Sequence, residues 1–265
     1  MSIKLGMAVV TGASSGIGAV YADRLSKRGY DVLLVARDIE RLKKMADTIH
    51  AETGRVAEVF QADLTKTEDV LRLESRIVTD ANINMLVNNA GASVSKPITE
   101  ISPDQFESLI QLNITALTRL SAAAIKNFLN KKSGTLINIS SVLALAPELM
   151  GGVYSASKAY VLNFTQALDK QYSQQGIKIQ VVLPGMTRTE IWDRSGLSIN
   201  YLPQEQVMEA GDMVDAALAG LDEGELVTIP ALANVADWKN FDRERLALGP
   251  SLSRALPAER YRKKP

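Results

Sequence analysis

The sequence predicts an α/β fold: a doubly wound, seven-stranded parallel sheet flanked by helices on both faces. Three observations carry that expectation. Short β-branched runs recur along the 265-residue chain, with longer helical patterns between them. Several of the runs are apolar almost throughout, as strands covered on both faces must be. Strand–helix alternation of this kind builds a parallel sheet, and right-handed crossovers then place helices on both sides of it.

The elements follow in order. "MAVVT" (7–11) is the first strand, and the glycine-rich "TGASSGIG" leads into a helix at 16–28. "DVLLVA" (31–36) is the second strand, followed by a helix over 38–52. Asp38 suits the N-cap of that helix, and His50 lies near its end, where a cation is favoured. "VAEVF" (56–60), a helix at 67–80 and "NMLVN" (84–88) come next. A long helical stretch over 103–131 leads to "TLINIS" (135–140). A helix at 154–174, "IKIQVVL" (177–183), a helix at 205–222 and "LVTIP" (226–230) complete the pattern. No low-complexity linker interrupts it, so 1–265 reads as a single domain. The segment after about residue 231 is less regular, and its "LPAERYRKKP" end is expected to fray or lie on the surface.

Composition narrows the chemistry. Lys and Arg total 30, as do Asp and Glu, so nothing in the charge points to nucleic acid or an anionic membrane. With no cysteine, disulfides, thiolate metal sites and cysteine nucleophiles are excluded. One histidine rules out zinc sites built on several, and no metal is expected. The N-terminus lacks the apolar run and cleavage site of a secretory signal. No apolar stretch approaches the roughly 18 residues needed to span a bilayer. A soluble, cytoplasmic protein is the expectation. Proton chemistry, if present, falls to Tyr, Lys, Ser, Asp or Glu.

Three features could carry such chemistry. The glycines Gly12, Gly16 and Gly18 sit at a strand-to-helix turn, where free N–H groups and the helix dipole favour phosphate. Ser14 and Ser15 can add hydroxyl donors. In "YSASK", Tyr154 and Lys158 lie four apart and share a helix face. A nearby ammonium would pull the tyrosine down from its ordinary pKa of about 10. Ser140 and Ser141 end the fifth strand, where ligands gather in open α/β sheets. Their side chains alternate between faces, so only one can hold a substrate oxygen. Asn113 is out of place in a helix interior, where asparagine is disfavoured.

Taken together, these motifs resemble the short-chain dehydrogenase/reductase family, single-domain Rossmann oxidoreductases with a Tyr-x-x-x-Lys pair. "TGASSGIG", "QAD" with Leu64, "NNAG", "LNIT", "INISSV", "YSASK" and "PGMTRT" occur in the family's order over roughly residues 5–190. The resemblance implies a catalytic tetrad of Asn113, Ser141, Tyr154 and Lys158, with Ser140 structural. It implies cofactor contacts from Gly12, Ser14, Ser15, Gly16, Ile17 and Gly18. Asp63 and Leu64 would lie near the adenine, and Asn88, Ala90 and Gly91 would line the pocket. Tyr154 and Lys158 would border the nicotinamide ribose. Pro184, Gly185, Thr187 and Thr189 would flank the nicotinamide. Asn113 would shape its helix so that a water links to the lysine.

The second strand ends at Ala36 followed by Arg37, with no acidic residue at the ribose-binding position. A guanidinium suits a 2′-phosphate, so NADP(H) is favoured over NAD(H), with Asp38 read as a helix cap. The expected reaction is hydride transfer between NADP(H) and a small-molecule carbonyl or alcohol. Residues 186–206 match the family's variable substrate lid. Met186, Ile191, Trp192, Leu197, Ile199, Tyr201 and Leu202 suggest an apolar substrate, whereas Glu148, Glu190, Asp193 and Arg194 would suit a polar one. Rival readings are an NAD-preferring enzyme of the family, an epimerase or dehydratase on the same fold, and a non-catalytic dinucleotide sensor. A homo-oligomer, dimer or tetramer, is expected through the helices near 103–131 and 154–174.

Overall fold

The computed structural model describes residues 5–94, 96–149, 152–195 and 198–262, without the side chains of residues 193 and 194. It contains two compact units, residues 1–230 and 231–265.

In the first unit, strands β1 (Met7–Thr11), β2 (Asp31–Ala36), β3 (Ala57–Gln61), β4 (Ile83–Asn88), β5 (Gly134–Ile139) and β6 (Ile177–Val182) alternate with helices. These are α1 (Gly16–Lys27), α2 (Ile39–Thr53), α3 (Thr67–Thr79), α4 (Pro103–Ile110), α5 (Leu117–Lys131) and α6 (Gly152–Tyr172). After β6 come a short strand β7 (Thr187–Arg188), helix α7 (Ile191–Ser195), strand β8 (Met208–Glu209), helix α8 (Ala210–Asp222) and strand β9 (Val227–Thr228). Seven strands form one parallel sheet in the order β3-β2-β1-β4-β5-β6-β9, as the alternation requires. A small parallel pair of β7 and β8, which the sequence pattern does not announce, stands outside it.

The strand period of two divides the core. Met7 and Val9 of β1 and Leu33 and Val35 of β2 face one side, against Leu73 of α3, Leu120 of α5 and Leu168 of α6. Ala8, Val10, Val32 and Leu34 face the other, against Tyr21 of α1, Leu42 of α2 and Met213 of α8. Fully burying a residue such as Leu25 or Leu73 is worth roughly 1.5–3 kcal/mol each, so both layers are held firmly. The strand order reverses between β1 and β4, and the resulting crevice at the carboxyl ends is where such sheets bind ligands.

The helix expected over 103–131 is not continuous. Ser102 caps α4 in a reciprocal capping box with Gln105. Residues Gln111–Ala116 then widen into a π-helical turn before α5 begins. Asn113 lies in that turn. Such bulges mark places where the backbone is redirected, often at functional sites.

In the second unit, α9 (Val235–Ala247) occupies a segment expected to be irregular. Asn234 caps it by accepting from the Ala236 N–H at 3.0 Å. None of its residues is buried.

Candidate active site

The glycine-rich turn leaves β1 at Thr11 and enters α1. Gly12 and Gly16 have φ of +69° and +54°, the left-handed region that side chains resist. Gly18 has a different reason. A Cβ there would run into the Gly12 carbonyl and the Asn89 amide, so the bare α-carbon lets α1 close on the turn. Ser15 is the N-cap of α1, Ser14 is half-buried on the turn, and Ile17 packs against the α1-side core.

The turn is pinned across the crevice by "NNAG". The Asn89 side-chain amide donates to the Thr11 carbonyl at 2.9 Å. The Thr11 hydroxyl accepts from the N–H groups of Asn89 and Ala90, at 2.9 and 3.0 Å. Asn88, its neighbour, points the opposite way. It is 3% exposed and donates to Ser121 of α5 and Asn138 of β5. Alternation along the strand end therefore separates a structural asparagine from one at the crevice. The alternation that separates Ser140 from Ser141 says in the sequence that only one of Asn88 and Asn89 can face the crevice, and leaves open which.

Asn113, Ser141, Tyr154 and Lys158 are all buried, and the fold brings them together. Asn113 is held at both ends of its amide. Its Oδ1 accepts from the Ala92 N–H, and its Nδ2 donates to the Ala92 carbonyl, both at 2.9 Å. Nδ2 also donates to Ser157 Oγ at 3.1 Å, which ties the π-turn to α6. Ser157, small in the sequence and easily read as a spacer, is thus a bridge. Gly91 packs against this group, since a Cβ there would stand 3.3 Å from Asn113 Oδ1 and 3.6 Å from Lys158 Nζ.

Ser141 Oγ donates to the Pro184 carbonyl at 3.5 Å and accepts from the Leu143 N–H at 3.2 Å, and it lies near enough to the Tyr154 phenol to act on its acidity. Ser140 instead donates to the Lys158 carbonyl at 2.7 Å, fixing α6 to the end of β5. Lys158 donates to the Ile139 carbonyl at 3.0 Å, and its ammonium lies 5.6 Å from the Tyr154 ring centre. The electrostatic balance differs from the simple expectation. Burial pushes the Tyr154 phenol up to about 12, against the lowering effect of Ser141. Burial pushes Lys158 down to about 8. Desolvation dominates both shifts because both groups are deep.

At the end of β6, the Pro184 carbonyl accepts from the Val142 N–H at 3.0 Å, so this loop abuts the Ser141 segment. Gly185 accepts from the buried Thr187 hydroxyl at 3.1 Å, and a Cβ at Gly185 would meet nothing within 4 Å. Thr189 reaches Gly16: a Cβ there would stand 3.1 Å from its methyl. Trp192 donates to the Thr187 carbonyl at 2.8 Å, anchoring α7. Met186, Ile191, Ile199 and Leu202 are half-buried, whereas Tyr201 is 86% exposed. Leu197 lies outside the described residues, as do the side chains of Asp193 and Arg194. Glu148 is exposed.

Beyond β2, Arg37 is exposed and its charge acts on Asp63. Asp63 is held below the usual carboxylate range: burial opposes the shift, and the Thr65 hydrogen bonds, Arg37 and Lys66 together outweigh it. Leu64 sends its side chain into the core. Asp38 caps α2, accepting from the Arg41 N–H at 3.0 Å, as its helix-cap reading expects. Arg41 grips both oxygens of Glu190 at 2.8 and 2.9 Å, a link from α2 to the start of the lid that spacing alone does not reveal.

A nicotinamide dinucleotide fits these residues. The two left-handed glycines and the N-terminus of α1 form a cradle that side chains would fill. The description "short chain dehydrogenase" belongs to the family model that matches residues 6–198. The chain is similar to human 17-beta-hydroxysteroid dehydrogenase type 3, with 37% identity over 179 residues; that match covers 67% of this chain and 57% of the longer human protein. Among solved structures, a short-chain dehydrogenase from Sphingobium yanoikuyae in complex with NADPH is 46% identical, with a TM-score of 0.94. The superposition covers 97% of this chain and 100% of that one. The bulky-bulky ketone specific alcohol dehydrogenase from Comamonas testosteroni, at 41% identity and a TM-score of 0.90, covers 97% and 99%.

Proposed function

The chain belongs to the short-chain dehydrogenase family of oxidoreductases, and from that premise we propose that it interconverts a carbonyl and a secondary alcohol using NADP(H). The observation that carries the reading is the burial of Ser141, Tyr154 and Lys158 in one cluster, with the Lys158 ammonium 5.6 Å from the Tyr154 ring centre. When bound, the nicotinamide supplies or accepts the hydride. The residues of the chain do the rest. Ser141 Oγ holds the substrate oxygen and offsets its developing charge. Tyr154 Oη delivers or takes the proton at that oxygen. Lys158 supplies positive charge beside the phenol, and Asn113 with Ser157 keeps the π-turn seated against α6. Gly12, Ser14, Ser15, Gly16, Ile17 and Gly18 would hold the pyrophosphate. Asp63, the Leu64 backbone, Asn89, Ala90 and Gly91 would border the adenosine and nicotinamide ribose side, while the Asn88 side chain, expected there from the sequence, is turned into the core against Ser121 and Asn138. Pro184, Gly185, Thr187 and Thr189 would flank the carboxamide.

NADP(H) is preferred because Arg37 stands exposed past β2 while Asp38 is engaged as a cap. The NADPH in the Sphingobium structure supports the same choice. Arg37→Ala should raise the KM for NADPH by tenfold or more and leave NADH use within about twofold. Equal losses with both cofactors would refute the assignment.

The substrate is a ketone flanked by two bulky apolar groups. Half-buried Met186, Ile191, Trp192, Ile199 and Leu202 support this, as does the ketone specificity of the Comamonas relative. A panel of bulky diaryl, steroid, small aliphatic and sugar carbonyls tests it; activity confined to sugars or charged carbonyls would overturn it. The working form is a cytoplasmic homodimer or homotetramer joined through α5 and α6, to be read by light scattering and cell fractionation.

A further inference from the structure

The segment that follows β6 is fastened at its root, in its middle and at its far end. At the root, β7 pairs with β8, and the Met208 N–H donates to the Met186 carbonyl at 2.9 Å. In the middle, the Thr189 methyl rests against Gly16, at the N-terminus of α1. At the far end, both oxygens of Glu190 accept from Arg41, at 2.8 and 2.9 Å. Arg41 belongs to the first turn of α2, just past the end of β2. The cap of that helix aims it: Asp38 accepts the Arg41 N–H at 3.0 Å and stands 3.4 Å from its Nε.

Topology makes a belt of these contacts. In the order β3-β2-β1-β4-β5-β6-β9, four strand spacings separate β6 from β2, roughly 19 Å. Residues 183–189 cover about 23–25 Å when extended, enough to cross. The belt thus leaves the sheet at β6, passes the glycine turn and is tied down at α2. The proposed pyrophosphate site at that turn has α1 on one side and the belt across it. Backbone pairing holds the root, whereas charge holds the far end. The Arg41 and Glu190 side chains are 48% and 44% exposed. Exposed ion pairs open readily and weaken as salt rises.

We propose that Arg41 and Glu190 are the clasp of this belt and set the rate at which the dinucleotide enters and leaves. With the clasp shut, the pyrophosphate is enclosed; with it open, the belt swings on its β7–β8 root. A clasp that closes equally well with and without dinucleotide slows entry and exit together and leaves affinity unchanged. It acts on the pyrophosphate span, which NADPH and NADH share. This rests on the dinucleotide reading of the crevice, and not on the preference for NADP(H) or on the ketone.

Stopped-flow nucleotide fluorescence tests it, with full-length chains preloaded with NADPH or NADH and chased with excess oxidised cofactor. Glu190→Gln keeps the shape and removes the charge. It should release both cofactors about two- to fivefold faster and bind both faster by the same factor, with Kd within about 1.5-fold. Arg41→Gln, measured with NADH, should do the same, and the double variant should be no faster than either single one. Raising NaCl from about 50 to about 500 mM should bring wild-type release to the rate of Glu190→Gln while moving that variant little. Unchanged release in Glu190→Gln would overturn the proposal. Faster release confined to NADPH would overturn it too, by tying Arg41 to the 2′-phosphate instead. So would faster release without faster entry, the mark of a lost cofactor contact. If the wild-type chain binds neither dinucleotide, the cofactor reading falls together with the clasp; binding with unaltered exchange overturns the clasp alone.

Discussion

Replacing Lys158 with methionine is expected to stabilise the protein near neutral pH while abolishing turnover. Lys158 is 5% exposed, and the acceptor described for its ammonium is the neutral Ile139 carbonyl. Burial lowers its pKa from 10.5 to about 8. Each unit is worth about 1.36 kcal/mol, so holding the proton in the folded state costs roughly 3 kcal/mol below pH 8. Methionine removes the charge and keeps most of the volume. It also leaves the Ile139 carbonyl without its donor, which costs about 1 kcal/mol. The net gain at pH 7 is therefore about 2 kcal/mol. The sign with pH is fixed by the direction of the shift. A depressed folded pKa makes stability greatest above the unfolded value and lowest below the folded one. Wild-type stability should thus rise between pH 8 and 10.5 relative to the variant, by roughly 3 kcal/mol. Urea unfolding of both chains at pH 7, 8, 9 and 10.5 reads it. A variant no more stable than wild type at pH 7, or one whose pH slope matches it, would refute the reasoning.

Other outcomes follow from the same geometry. Tyr154→Phe should cut kcat by about 10²–10⁴-fold in a ketone-reduction assay, with NADPH affinity by fluorescence titration within about twofold. Gly18→Ala should lower stability by about 1–3 kcal/mol in a urea melt and weaken NADPH binding, because the added carbon meets the Gly12 carbonyl. Asn113→Ala strips partners from both Ala92 backbone groups and from Ser157; a loss of about 1–3 kcal/mol in the melt and a larger fall in kcat than in NADPH affinity are expected. Glu190→Gln opens an exposed ion pair, so unfolding should move by less than about 1 kcal/mol. The KM for ketone should change nonetheless if the Arg41 link steadies the lid, and an unchanged KM would remove that role.

Much of this was written in the chain because it is local. Short β-branched runs, apolar almost throughout, make the seven parallel strands legible, and the turn glycines announce a phosphate cradle. Tyr154 and Lys158 are one helical turn apart, so their meeting needs only a helix. What stayed hidden depends on contacts between distant segments. The Gly18 requirement comes from the Gly12 carbonyl and Asn89, and only the folded crevice brings Asn89 there. The π-turn interrupts a stretch whose apolar pattern reads as one helix, because the pattern tracks burial and not the backbone bonding within it. The desolvation of Tyr154 and Lys158 is a property of depth, which spacing does not encode. Helix α9 is illegible for another reason: with no buried face, it lacks the periodic signal that marks a helix in a sequence.

These hidden contacts share a form, and it bears on how the site works. Each joins an element that borders the crevice to a neighbouring one through a buried or half-buried side-chain hydrogen bond. Thr11 and Asn89 tie β1 to β4, Ser140 ties β5 to α6, and Asn113 with Ser157 ties the π-turn to α6. The reacting groups then sit on backbones clamped from two sides. Such clamping matters because an ångström of misplacement at a transfer site can cost about a hundredfold in rate. It also explains how an uncompensated ammonium is tolerated. The folded core on both faces of the sheet contributes far more than the roughly 3 kcal/mol at stake, so Lys158 can be kept charged and dry where it is needed. The stability that Lys158→Met would recover is thus the measure of what the fold gives up to hold a cation beside Tyr154.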